Sequence, residues 1–199
     1  MIPETLDRTI CWTPVGGVGF EHLQLRAEEG GFVARSIVLG IDEETPFRLQ
    51  YKIKVDQDWR TRKLWVRAAT PLGESALALR SDGHGNWRTE DGTDMPELSG
   101  CIDVDITATP FTNTLPINRL RLAPGQSVDL RMVYVTAPSL ELGVSEQRYS
   151  RRGEGGEIIF ASPAHDFTAV LPVDDAGLVM DYPQLFTRAY PRWTEVAVG

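Results

Sequence analysis

Phe47 to Val55 alternates without a fault. Phe47, Leu49, Tyr51, Ile53 and Val55 are apolar, and Arg48, Gln50, Lys52 and Lys54 are polar. A period of two sends one set to a buried face and the other to water, so this stretch predicts a strand. Looser forms of the pattern recur at Ile10–Trp12, Phe20–Ala27, Phe32–Leu39, Trp59–Ala69 and Ser75–Arg80. They return at Ser127–Thr136, Leu140–Arg152, Glu157–Ala161, Phe167–Val173 and Leu178–Asp181. Turn chemistry separates them, as in Glu28–Gly31, Asp82–Gly85, Pro124-Gly125, Gly153–Gly156 and Asp174–Gly177. One helical turn is expected in Tyr182–Arg188, after Pro183. No stretch carries the period of an amphipathic helix. The chain therefore reads as all-β, with a dozen or more mostly antiparallel strands. Pattern alone does not choose between sandwich, barrel and roll.

Two stretches break the pattern. In Trp59–Ala69 the apolar side is Leu64, Val66 and Ala68, and the same parity places Arg60 and Arg62 on it. Arginines continuing an apolar stripe either reach water at a strand end or pair with anions, so they frame a frayed edge or a cationic rim on a cavity. In Gly100–Arg121, Ile102, Val104 and Ile106 take one side of an extended chain and Asp103 and Asp105 the other. At about 3.3 Å rise per residue those two carboxylates stand roughly 6.5 to 7 Å apart. The following Thr109–Ile117, TPFTNTLPI, is expected to be neither strand nor helix. Pro110 and Pro116 interrupt hydrogen bonding, and Thr112, Asn113 and Thr114 can bond nearby backbone and hold a loop. The whole stretch suits either a site or a rigid β-corner.

Composition narrows the partners. The 199 residues suit a single domain over 1–199, with 1–9 and 190–199 as loose ends. Net charge is −8, which argues against nucleic acid and anionic membrane surfaces. Cys11 and Cys101 lie far apart with no CxxC or Cys/His cluster, so no metal site is expected, and both thiols read as buried and reduced. GGVG at Gly16–Gly19 matches no phosphate-binding pattern, and no cofactor is expected. The first residues lack a signal-peptide pattern and no run is long enough to span a bilayer. These features suggest a cytoplasmic protein.

Candidate chemistry is dispersed. Asp103 and Asp105 share a face, and His22 could complete an acid–base set with them. No GxSxG, HExxH or Ser-His-Asp order is present. Trp59 and Trp87 adjoin Arg60 and His84, and tryptophan faces beside charged groups can grip sugar rings. Ordinary core packing explains the same tryptophans.

Six segments together resemble a known family. They are GFEHLQL at Gly19–Leu25, DWRTR at Asp58–Arg62, SDGHGNW at Ser81–Trp87, GCIDVDI through TPFTNTLPI at Gly100–Ile117, EQRY at Glu146–Tyr149, and GLVMDYPQLF at Gly177–Phe186. The chain is similar over nearly its whole length to a bacterial glycolipid-binding family. Phe20 and Asn118 are slight departures. The resemblance implies a spiral β-roll, a long antiparallel sheet wound on itself. It also implies a shape related to lipoprotein carriers that hold acyl chains in an open apolar half-barrel. It carries no established ligand residues. The candidates are therefore the polar and aromatic anchors His22, Trp59, Arg60, Arg62, Asp82, Trp87, Asp103, Asp105, Asn113, Arg119 and Tyr149.

Three functions fit. The first is a binding protein for a small amphiphile, a glycolipid or related lipid- or sugar-like molecule, in an apolar cavity with a polar mouth. The second is a hydrolase or isomerase on such a substrate, with Asp103 or Asp105 as base and His22 as acid. The third is an interaction protein with a filled interior.

Overall fold

The computed structural model describes residues 6–153 and 156–191. The chain is all-β, 58% strand and 8% helix, and its described residues form two large mostly antiparallel sheets with no closed barrel among them. The long sheet begins as a meander of β1 (Asp7–Pro14), β2 (Gly19–Glu28), β3 (Gly31–Asp42), β4 (Thr45–Asp56), β5 (Thr61–Thr70), β6 (Gly73–Ser81) and β7 (Trp87–Thr89). The second sheet holds β8 (Asp103–Ile106), β9 (Ser127–Val135), β10 (Leu142–Arg151), β11 (Ile158–Ser162) and β12 (Phe167–Leu171). Among the described residues, only β8 runs parallel to its neighbour, β9. The chain then returns to the long sheet, where β13 (Asp181–Tyr182) and β14 (Phe186–Tyr190) extend it beyond β1. The α-helix α1 (Thr114–Leu120) follows β8.

Alternation positions the core. Leu49, Tyr51, Ile53 and Val55 of β4 are buried, while Arg48 just before them and Lys52 among them are exposed. Inward residues of the meander meet Val104, Ile106, Val133 and Val135 from one face of the second sheet. The other face of that sheet, with Met132, Tyr149, Phe160 and Leu171, packs against Leu122, Val179 and Tyr182. Cover on both sides explains the unbroken apolar run Met132–Val135, in which Met132 and Val133 are both fully buried on opposite faces.

Four local expectations are corrected. Arg60 and Arg62 do not continue the apolar stripe. The register shifts between Lys54 and Val55, so Val55 pairs with Thr61 and Lys54 with Lys63. Arg62 is the extra residue of this bulge, which buries Thr61 and leaves Arg62 in water. TPFTNTLPI is not a helix-free loop: Phe111–Asn113 forms a 3-10 turn leading into α1. Pro116 sits in the first turn of α1, where a missing N–H leaves no bond unmade. Tyr182–Arg188 holds no helical turn. A tight turn between Tyr182 and Phe186, closed by Leu185 N–H donating to Tyr182 O at 2.9 Å, joins β13 to β14. The loose ends are also narrower than expected, because Asp7–Thr9 pair in β1, Leu6 is buried and Tyr190 pairs with Cys11. Residues 1–5 and 192–199 lie outside the described residues.

The SDGHGNW segment shows why its second glycine is needed. Asp82 accepts hydrogen bonds from the backbone of His84 and Asn86 and from the Asn86 amide, folding a tight turn. A Cβ on Gly85 would stand 2.8 Å from Gly100 Cα, and Gly85 also has a φ of +93°. That close approach docks the turn against the start of the Gly100–Arg121 stretch, where Gly100 N–H donates to Gly85 O at 3.0 Å.

Candidate functional site

Two adjoining hollows open between the elements, with volumes of about 310 and 330 Å³. They share Thr107 and Phe186 as wall residues. The first is mainly apolar, with Val38, Phe47, Ala108 and Ala137 among its walls and the exposed Val18, Phe20, Leu39 and Ile41 nearer water. The second mixes rings with polar groups, including Asp105, Asn113, Tyr134, Gln147 and Tyr182.

Each hollow has a carboxyl in its wall. Glu21 comes from β2, at the same parity as Leu23 and Leu25, and is 2% exposed. Its Oε1 accepts hydrogen bonds from Ser36 Oγ and Tyr51 Oη, both at 2.7 Å. Its Oε2 is buried and has no hydrogen-bond partner among the described residues. Burial raises its pKa to about 7, against the opposing pull of the Tyr51, Ser36 and Thr109 hydroxyls. Tyr51 Oη also lies 3.2 Å from Thr109 Oγ1, and Thr109 lines the second hollow.

Asp105 comes from β8, paired in register with Tyr134. Thr112 Oγ1 donates to its Oδ1 at 3.0 Å and Gln147 Nε2 to its Oδ2 at 2.6 Å. Both donors are neutral. Burial raises the Asp105 pKa, and the Gln147 and Thr112 hydrogen bonds moderate the rise. Asn113 Nδ2 donates to Tyr149 Oη at 2.8 Å, and Tyr149 Oη donates to Gln147 Oε1 at 3.3 Å. Burial, then the Asp105 charge, pushes the Tyr182 phenol up as well. Phe160, Phe167, Tyr182 and Phe186 continue the wall as a chain of ring contacts, with centroids 5.9 to 6.5 Å apart.

The sequence candidates divide between this region and others. Asp105, Asn113 and Tyr149 come together here. Asp103 shares the face of Asp105 but is 1% exposed and held by the Arg119 guanidinium, with Arg119 Nη2 donating to Asp103 Oδ2 at 2.6 Å. His22 projects from the opposite side of β2 to Glu21 and is exposed, beside Gln24, Ile37 and Trp65. The set of His22 with Asp103 and Asp105 is therefore not assembled, because strand parity sends His22 out and the acids in. Trp59 is buried and stacked on Phe32 at 4.9 Å, and Trp87 is buried with Nε1 donating to Cys101 O at 2.7 Å. Neither presents a face to a ligand. Arg60 and Arg62 sit near Asp58 and Asp56, and Asp82 closes its turn. Cys11 and Cys101 are free and buried.

Glu21, Thr109, Tyr134, Gln147 and Tyr182 are wall residues that the sequence candidates omit. The signal for Glu21 is an acid continuing the Leu23–Leu25 stripe, and for Gln147 it is shared parity with Tyr149. Among the described residues, no group of three or more His, Cys, Asp and Glu is placed to hold a metal ion, and no helix is long and apolar enough to cross a membrane.

Comparison places the chain in a family. The sequence model of the family described as putative glycolipid-binding matches residues 9–188, and the chain belongs to that family. A crystal structure of a DUF1089 family protein from Pseudomonas aeruginosa is similar at 39% identity, covering 85% of this chain and 91% of that one, with a TM-score of 0.78. No curated protein matches the chain.

Proposed function

We propose that the chain binds an amphiphile, its apolar tail in the Val38–Phe47 hollow and its polar head beside Asp105. The observation that carries this reading is the junction. A hollow walled mostly by aliphatic and aromatic residues shares Thr107 and Phe186 with one whose ring-lined wall also carries Asp105, Asn113 and Gln147, so one molecule with unlike ends could fill both. The family's description as glycolipid-binding supports the same reading. Native mass spectrometry and thermal shift against a panel of glycolipids and fatty acids test it. A ligand at a hundredfold excess over Kd should stabilise the fold by about 2.7 kcal/mol. Ala108→Phe should fill the apolar hollow and abolish that shift in a folded protein. Absence of any shift across the panel would remove the reading.

One observation favours a second reading, acid–base chemistry on the same ligand. Glu21 is a buried carboxyl with a free oxygen and a pKa raised to about 7, the state expected of a proton-transfer group. It would take the place of the Asp103–Asp105–His22 set. Prolonged incubation with a sugar-headed lipid, followed by mass analysis, would reveal hydrolysis or isomerisation, and unchanged lipid would count against it.

A further inference from the structure

The chain has three lysines, Lys52, Lys54 and Lys63, and β4 and β5 bring all of them to the outer face of the long sheet. The register sets them against other cations. Arg35 stands directly across from Lys52, Lys54 across from Lys63, and Lys63 across from Arg80. Like charges directly opposite on neighbouring strands destabilise a sheet. None of the three lysines is in an ion pair among the described residues. The carboxylates whose field reaches them, Glu28 and Glu90, are already bonded to Arg35 and Arg80. Asp56, two residues from Lys54, is taken up by Arg62 and by the backbone amides of Asp58 and Arg60. A chain of net charge −8 thus keeps a cationic patch at a cost in stability.

Apolar side chains share this face. Trp65 stands across from Lys52, and Ile37 lies two residues from Arg35 on β3. Leu39 and Ile41 continue the strip, and Phe20 pairs with Leu39. These side chains are 39 to 52% exposed. Asp42, Glu43 and Glu44, at the β3–β4 hairpin, lie at the far end of β4 from Lys54, roughly 30 Å away at about 3.3 Å per residue. Physiological salt screens charges over about 8 Å, so these acids do not cancel the patch.

We propose that this face docks on an anionic lipid bilayer. Phosphate headgroups answer the opposed cations, the Trp65 ring sits at headgroup level, and Ile37 and Leu39 reach the acyl boundary. A nucleic acid would take the cations and stack on Trp65 but leave the aliphatic strip in water. The choice of lysine separates a lipid surface from a matched acidic protein. Its ammonium is a strongly hydrated point charge suited to a diffuse field of headgroups, whereas the arginine fork suits carboxylates held in fixed geometry. Phe20, Leu39 and Ile41 also wall the first hollow, so the docked face reaches the mouth of that hollow. The docking does not depend on what fills either hollow.

The test is co-sedimentation of the whole protein at neutral pH with vesicles of phosphatidylcholine, alone or with about 30% phosphatidylglycerol. The mixed vesicles should bind at least about tenfold tighter than the neutral ones, and added salt should weaken that binding. Lys52→Glu combined with Lys63→Glu should abolish the preference. Its melting temperature should hold or rise, because the change relieves opposed cations, so lost binding would not reflect unfolding. Trp65→Ala should weaken binding to the mixed vesicles with the charge unchanged. Equal binding to both vesicles, binding to neither, or full binding by the double lysine variant would overturn the proposal. So would a single-stranded oligonucleotide or polyglutamate binding as tightly as the mixed vesicles, since the patch would then be a site for polyanions in general. Each of these outcomes leaves the amphiphile reading to its own test.

Discussion

Asp103 and Asp105 leave the same face of β8, two residues apart, and burial raises the pKa of each. Their partners differ in kind. Asp103 is closed off by a forked guanidinium from α1, at 3.1 and 2.6 Å, so charge meets charge and the pair ties the helix to the strand. Asp105 meets only a hydroxyl and an amide, and the wall of a hollow lies beyond it. The first arrangement uses up the carboxylate. The second holds a carboxyl in place and leaves it free to meet something else. Residue type and spacing are identical for the two acids, so what separates fastening from site is the partner that the rest of the fold delivers.

The largest effect should come from breaking the fastening. Arg119→Met leaves Asp103 buried without its counter-charge, and loss of one partner from such a pair costs about 3–5 kcal/mol. Urea unfolding at neutral pH should show that loss. Part of it should return in acid, where the stranded carboxyl takes up a proton. A loss below about 1 kcal/mol would mean that the pair does not hold α1 down.

Glu21 should show a smaller effect of opposite sign. Its pKa is raised from the ordinary 4.5 to about 7 in the folded chain, so the native state binds the extra proton between those values. Stability contributed by this group therefore falls as pH rises through that window, by about 3 kcal/mol in all. Glu21→Gln should remove this slope. The variant should match the parent near pH 4.5 and exceed it above pH 7, by an amount that thermal melts across pH can follow. Parallel curves for the two proteins would show that Glu21 titrates normally.

Asp105→Asn should matter less for the fold. Its donors are neutral, and Gln147 can turn its carboxamide to present Oε1 in place of Nε2–H, so the stability change should stay near about 1 kcal/mol. Ligand binding should respond more strongly than stability. If Asp105→Asn instead costs as much as Arg119→Met, the contrast between the two acids is lost.

Much of this arrangement is legible in the sequence through parity. Phe47–Val55 gives β4, and alternation around Ile102–Ile106 puts both acids on one face, as the structure has them. Parity fails where the phase slips. Arg60 and Arg62 continue an apolar stripe on paper, but the bulge opposite Lys54 and Val55 turns them outward, and no residue type near Arg62 announces a bulge. At Glu21 the phase holds from Leu25 back to the acid, so the same rule that misplaces the arginines locates this buried carboxyl. Prolines mislead in a different way. Pro116 reads as a helix breaker, yet its position in the first turn of α1 is where proline does no harm, and only knowledge of where the helix starts reveals that. The pairing of Asp103 with Arg119 rather than with a ligand, and the meeting of β2, β4 and the Thr109 loop around one hydrogen-bond chain, depend on long-range contacts that no local pattern encodes.

The smallest effect should belong to His22, and it probes the boundary of the site. His22 is one residue from Glu21, so sequence distance would place the two together. The pleat places them on opposite sides of the sheet, Glu21 in the core and His22 in solvent beside Ile37 and Trp65. His22→Ala removes an exposed side chain on the outer face of β2, and such changes usually stay within about 0.5 kcal/mol. Melting temperature and glycolipid affinity should both be unchanged, while Glu21→Gln alters both. A marked loss of affinity in His22→Ala would place part of the ligand on the outer face of the long sheet, where Ile37 and Trp65 are exposed, and the boundary between Glu21 and His22 would have to be redrawn through β2 itself.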